Sequence, residues 1–166
     1  MSSPQARWPP FAQLRGRLEA AGFRPSRRLG QNFMIDPQLA AAIVRDAGVE
    51  SGEFVLEVGP GPGVLTFQLA RAGARVLAVE IDPRLAAVAA ENLGGAGEVE
   101  LLECDVLAGK HALAPEVEAK LPAAGEPWRL VANLPYSVSA PLIAILAARG
   151  ASAPLSMTCL VQREVA

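Results

Sequence analysis

Residues 53–64, Glu53-Phe54-Val55-Leu56-Glu57-Val58-Gly59-Pro60-Gly61-Pro62-Gly63-Val64, decide the fold. A short apolar run of strand length meets three alternate glycines, and residues 64–72 then have helical spacing. A strand that turns through glycines into a helix begins a βα unit. Glycine lets the backbone pass close beneath a ligand, and the helix N-terminus favours negative charge.

The same alternation repeats outward. Residues 75–79 read as a second strand closed by Glu80, and residues 98–102 as a third that ends near Asp105. Residues 128–132 read as a fourth, followed by Asn133, and residues 157–161 as a fifth. Between them, Asp36-Pro37 and Asp82-Pro83 each supply an N-cap and a proline at the first helical position. The first of these helices stops at Gly48, with Leu39, Ala42 and Ile43 as its expected buried stripe; the second runs to Gly94-Gly95. Further helices are expected over 11–21 and 114–121, and one capped by Ser137 or Ser139 that ends near Gly150. Strands alternating with helices imply an α/β fold with a largely parallel, Rossmann-like sheet and flanking helices. An open sheet that stops at a fifth strand leaves an apolar edge, so the 166 residues are expected to lack the C-terminal part of the fold. Residues 1–26 form a basic extension with a helix, and residues 27–166 the main domain.

Composition narrows the class. Hydrophobic residues make up 51% and charged residues 19%, enough for a large core and against disorder. No apolar run reaches membrane-spanning length, and no secretory pattern opens the chain, so a cytoplasmic protein with no membrane partner is expected. Cys104 and Cys159 are far apart in apolar surroundings and are read as buried free thiols. His111 is the only histidine, so neither a metal site nor a histidine-based triad is expected. Net charge is −2, yet residues 1–30 hold Arg7, Arg15, Arg17, Arg24, Arg27 and Arg28 against Glu19 alone. Such a cluster suits phosphate contacts, or serves as a solubilising terminus.

The polar residues fall at strand ends, where open α/β sheets bind ligands. A dinucleotide fingerprint needs a third glycine at its sixth position; counted from Gly59 that position is Val64. The loop also lacks the Lys-Ser/Thr pair of a P-loop. Gly-x-Gly-x-Gly preceded by an acid resembles the S-adenosylmethionine site of class I methyltransferases. Glu80 is placed to accept from both ribose hydroxyls, and Asp105 from an adenine amine or as a turn cap. Glu57 is either a further ligand or an acceptor that orients the glycine loop through backbone N–H groups.

Asn133-Leu134-Pro135-Tyr136 suits an exocyclic amine. Such a nitrogen is a poor nucleophile because its lone pair is delocalised into the ring. The Asn133 amide oxygen and the Leu134 carbonyl can each accept one of its N–H groups and favour a pyramidal nitrogen. Pro135 removes a competing donor, and Tyr136 can stack on the base. Alone, the tetrapeptide is equally an ordinary Asn-x-Pro turn.

Together, Gly30-Gln31-Asn32-Phe33, Glu57-Val58-Gly59-Pro60-Gly61, Asn133-Leu134-Pro135-Tyr136 and Gln162-Arg163-Glu164-Val165 resemble the small-subunit ribosomal RNA adenine dimethyltransferases over residues 27–166. The resemblance implies transfer of methyl groups from S-adenosylmethionine to N6 of two adjacent adenines near the 3′ end of small-subunit rRNA, with the small ribosomal particle as partner; a monomer is the default expectation. It implies that Asn32 and Met34 touch the methionine part of the cofactor, that Gly59 lies under it, and that Glu80 and Asp105 hold ribose and adenine. Asn133 would bridge cofactor and target base, with Leu134 and Tyr136 completing the catalytic set. Two alternatives stay open: a large-subunit rRNA adenine methyltransferase, and a non-catalytic RNA-binding assembly factor on the same fold.

Overall fold

The computed structural model describes residues 7–23, 33–134 and 136–160, with Tyr136 described by its backbone alone. Five parallel strands form one sheet: β1 (Phe54–Val58), β2 (Arg75–Glu80), β3 (Glu98–Glu103), β4 (Trp128–Asn133) and β5 (Ser156–Leu160), in the order β3-β2-β1-β4-β5. The chain adds strands outward from β1 to β3, then crosses back to lay β4 on the other side of β1. That reversal is the topological switch point, the place where open α/β sheets bind ligands.

Strand alternation sends side chains to two covered faces. Leu56, Val58, Leu77, Val79, Leu130 and Ala132 pack with Val117 of α5 (Pro115–Glu118) and with Leu142 and Leu146 of α6 (Tyr136–Ala147). On the other face, Val55, Val76, Ala78 and Val131 meet α2 (Pro37–Asp46) and α3 (Val64–Arg71). Phe67 and Ala70 of α3 pack in turn on Ala89 and Leu93 of α4 (Pro83–Leu93). The N-terminal helix, α1 (Phe11–Ala20), lies on the outer side of α4, where Leu14 and Leu18 join Leu85 and Val88.

The two Asp-Pro starts behave as expected. Asp36 accepts the Gln38 and Leu39 N–H groups, Asp82 accepts that of Arg84, and Pro37 and Pro83 open their helices. The buried stripe of α2 differs: Ala40, Ile43 and Val44 face the sheet, whereas Leu39 is 47% exposed. The i, i+3, i+4 face is rotated by one residue, so Leu39 beside the cap points outward. Helix α6 begins at Tyr136, ahead of both serines proposed as caps, and Pro141 lies within it. Cys104 and Cys159 are free, but only partly buried, since they pack at the rim of the first core face. Burial raises both thiols above their ordinary range. Among the described residues, no helix is long and apolar enough to cross a membrane, and no three or more His, Cys, Asp or Glu side chains gather in a group that could hold a metal ion.

Candidate active site at the strand ends

The strand order lines up four predicted positions along one edge of the sheet. Asp105 follows β3, Glu80 ends β2, Gly59 follows β1, and Asn133 ends β4. Neighbouring strands lie ~4.8 Å apart, so these positions span the width of a nucleoside with a side chain attached.

Glu80 is 5% exposed, and both of its carboxyl oxygens are held. Its Oε2 accepts the Gly61 N–H at 3.1 Å and its Oε1 accepts the Asp82 N–H at 3.0 Å. Each oxygen retains acceptor capacity, which is what two ribose hydroxyls require. Next to it in the chain, Ile81 is 66% exposed, an apolar side chain directly after the strand-end acid. Sequence reasoning missed Ile81; an aliphatic side chain directly after a strand-end acid was the available signal. Asp105 is exposed and caps a turn, its Oδ1 accepting the Leu107 N–H at 2.9 Å. The cap leaves Oδ2 for a donor such as an adenine amine. Two hydroxyl acceptors at the end of β2 and an amine acceptor after the neighbouring β3 fit an adenosine group.

The glycine loop is fixed from several sides. The Gly59 N–H donates to the Val79 carbonyl at 2.9 Å, and the Gly63 N–H to that of Pro60 at 2.9 Å. Gly59, Gly61 and Gly63 all have positive φ, and Pro60 and Pro62 bring no N–H that would need a partner. Asn92, buried in α4, donates its side-chain amide to the Pro62 carbonyl at 2.9 Å. Asn92 also went unnoticed in the sequence, although a polar residue near the end of an apolar helix marked it. Thus Glu80 and Asn92 orient the loop, and the backbone-orienting role considered for Glu57 falls to Glu80.

Glu57 instead lies beneath the loop, 1% exposed. Desolvation pushes its carboxyl up to about 8, and the nearby Glu80 charge adds to this. The Thr66 side chain works in the opposite direction, yet neither Glu57 Oε2 nor Thr66 Oγ1 makes a hydrogen bond of good geometry. The buried group is therefore mainly neutral at pH 7.

On the other side of the switch point, the Leu134 N–H donates to the Leu160 carbonyl at 3.1 Å, which extends the β4–β5 ladder one residue past Asn133. Leu134 is buried and Asn133 half-buried. The Tyr136 backbone opens α6 directly after them. Met34 packs against the core cluster that α2 and α3 form on the sheet. Asn32, with Arg24, Arg27 and Arg28, lies outside the described residues, as do Pro135 and residues 162–165. Of the basic N-terminal cluster, Arg15 pairs with Glu19, and Arg17 pairs with Glu91 and donates to Asn92. These two arginines are engaged within the protein rather than held free for phosphate.

The family model described as ribosomal RNA adenine dimethylase matches residues 22–166. The chain belongs to this family. It is 46% identical over 159 residues to ribosomal RNA small subunit methyltransferase A of Leifsonia xyli, covering 93% of this chain and 52% of that protein. The protein of the same name in Deinococcus radiodurans is 43% identical, with 93% and 49% covered. The chain thus spans about half the length of the curated relatives it matches. Among solved structures, the 23S rRNA methyltransferase ErmE superposes with a TM-score of 0.62 at 32% identity, over 80% of this chain and 49% of that one. A dimethyladenosine transferase from Plasmodium falciparum gives 0.51 at 27% identity, over 69% and 38%. The expected class I methyltransferase sheet is therefore the fold of this family member.

Proposed function

We propose that the protein transfers methyl groups from S-adenosylmethionine to N6 of two adjacent adenines near the 3′ end of small-subunit rRNA. The observation that carries this reading is the order of strand ends, Asp105, Glu80, Gly59 and Asn133. Adenine, ribose and methionine would lie across β3, β2 and β1, and the methyl group would then meet a target base at β4. When bound, the cofactor supplies an electrophilic methyl group on a sulfonium.

The remaining work belongs to the chain. Glu80 and Asp105 hold the two ends of the adenosine group, and Gly59 admits the methionine part close to the backbone. Asn32 and Met34 would contact that part. The Asn133 side-chain oxygen and the Leu134 carbonyl accept the two N–H groups of a flipped-out adenine, and Tyr136 stacks on its ring. Holding the amine this way exposes its lone pair in line with the methyl group, so catalysis is mostly positioning and electrostatics. The proton leaves after the nitrogen has become cationic, and no general base is needed before attack. A monomethylated amine keeps one N–H and can rebind for the second transfer. The protein would act in the cytoplasm as a monomer on the small-subunit particle.

A second reading, methylation of large-subunit rRNA, is favoured by the likeness to ErmE, a 23S rRNA methyltransferase. The relatives at 46% and 43% identity carry the small-subunit name, which favours the first. Methylation assays with unmodified small-subunit particles and with naked large-subunit RNA separate the two; label in the large-subunit RNA alone overturns the small-subunit assignment. In the same assay Asn133→Ala is expected to lower transfer by about 10²-fold or more while cofactor affinity changes only a few-fold. Transfer at the wild-type rate in that variant would contradict the amine clamp.

A further inference from the structure

The acid that would hold the ribose belongs to a closed ring of contacts that reaches the far side of α4. Glu80 Oε1 accepts the Asp82 N–H. Asp82 receives Arg84 through two donors, Nε to Oδ1 at 3.1 Å and Nη2 to Oδ2 at 2.7 Å. This forked pairing fixes the plane of the guanidinium. Its Cζ lies 4.4 Å from the centroid of the Phe23 ring. Phe23 meets Phe33 edge to face, centroids 5.9 Å apart and planes at 88°. Phe33 then lies against the glycine loop: its Cδ1 is 3.2 Å from where a Cβ on Gly61 would stand. Gly61 closes the ring by donating its N–H to Glu80 Oε2.

The pieces come from four parts of the chain. Phe23 follows α1, Phe33 precedes α2, Gly61 lies between β1 and α3, and Arg84 is in the first turn of α4. Phe23 and Phe33 flank residues 24–32, which include Asn32. Gly22, at φ +86°, brings the chain so close that a Cβ there would stand 3.6 Å from Arg84 Nη1. An edge-to-face pair and a cation over a ring both lose energy when either partner moves, so the arrangement resists displacement at any one member.

We propose that Arg84, Phe23 and Phe33 are positioning residues for the cofactor site, and that they fix the Gly61 N–H and the Glu80 carboxyl group relative to each other. The role rests on the cofactor assignment made above for Glu80. Arg84 itself touches no cofactor; it acts through Asp82 on one side and through the two rings on the other. Its side chain is 58% exposed. Its removal should therefore leave the fold intact while loosening the ring.

The test uses the full 166-residue chain with Arg84→Ala and, as an independent break, Phe33→Leu. Amide hydrogen exchange is read at Gly61 in cofactor-free protein, S-adenosylmethionine affinity by calorimetry, and the melting midpoint as a control. The Gly61 amide should exchange several-fold faster in both variants, with the Leu77 amide in the middle of β2 unchanged. Cofactor affinity should fall about threefold to tenfold, the scale of one cation–ring contact. Unchanged Gly61 exchange in both variants would overturn the proposal, as would faster exchange with unchanged affinity. Wild-type affinity in a Glu80→Gln control would instead overturn the cofactor assignment on which it rests.

Discussion

Glu57 and Glu80 are buried acids on adjacent strands, and they differ in what surrounds them. Glu80 receives two backbone N–H groups. Glu57 receives no good donor at Oε2, and burial pushes it up to about 8 from an ordinary 4.5. The sign of its effect on stability follows. Between these values the unfolded chain has released the proton and the folded one retains it, so rising pH favours unfolding. Below pH 4.5 both states are protonated and the penalty vanishes. Glu57→Gln should therefore flatten the pH dependence of stability between pH 5 and 8, where the wild type loses at most about 1.4 kcal/mol per pH unit from this group. Urea unfolding at several pH values checks this; parallel curves for the two proteins would show that Glu57 is ionised when folded. Comparing slopes rather than absolute stabilities removes the cost of burying the glutamine amide.

Two helix starts can be traced to local chemistry. Asp36 and Asp82, each followed by proline, marked their helices correctly because a cap and a fixed φ act within a few residues. Asp36→Ala should lower stability by about 1 kcal/mol, seen as a lower urea midpoint at unchanged slope. The exposed face of α2 was misread because Leu39 and Ile43 both fit helical spacing, and only contact with the sheet selects Ala40, Ile43 and Val44. The start of α6 was misread for a similar reason. Ser137 and Ser139 are good caps by type, but the helix begins where β4 releases the chain, at Tyr136. The strand-end positions of Glu80, Asp105 and Asn133 were legible because strand ends can be read from apolar runs. Asn92, Ile81 and the Phe23–Phe33–Arg84 contacts were not, because they depend on how α4 lies against its neighbours.

At the scale of the molecule, strand order brings Asp105, Glu80, Gly59 and Asn133 to one edge of the sheet, and order is not written in any single stretch. Arg129 shows how the sheet is tied at its other end. From β4 it meets Glu53 Oε2 at 2.9 Å, the Ala47 carbonyl at the end of α2 at 3.2 Å, and Ser156 Oγ of β5 at 3.0 Å. The guanidinium holds the Glu53 carboxyl below its ordinary range, so this contribution is lost as acid protonates it. Arg129→Ala leaves a mostly buried acid and a helix-end carbonyl unpaired, and should cost about 2–4 kcal/mol by urea unfolding. A loss below 0.5 kcal/mol, the ordinary range for surface changes, would show that water replaces it freely. The central claim is that the opposite edge, from Asp105 to Asn133, binds S-adenosylmethionine through Glu80. Calorimetric titration of the folded chain with S-adenosylmethionine tests it most directly. Saturable binding to a single site, weakened about tenfold or more by Glu80→Gln, is the predicted result; no binding in a cooperatively folded chain, or equal binding in the variant, would contradict it.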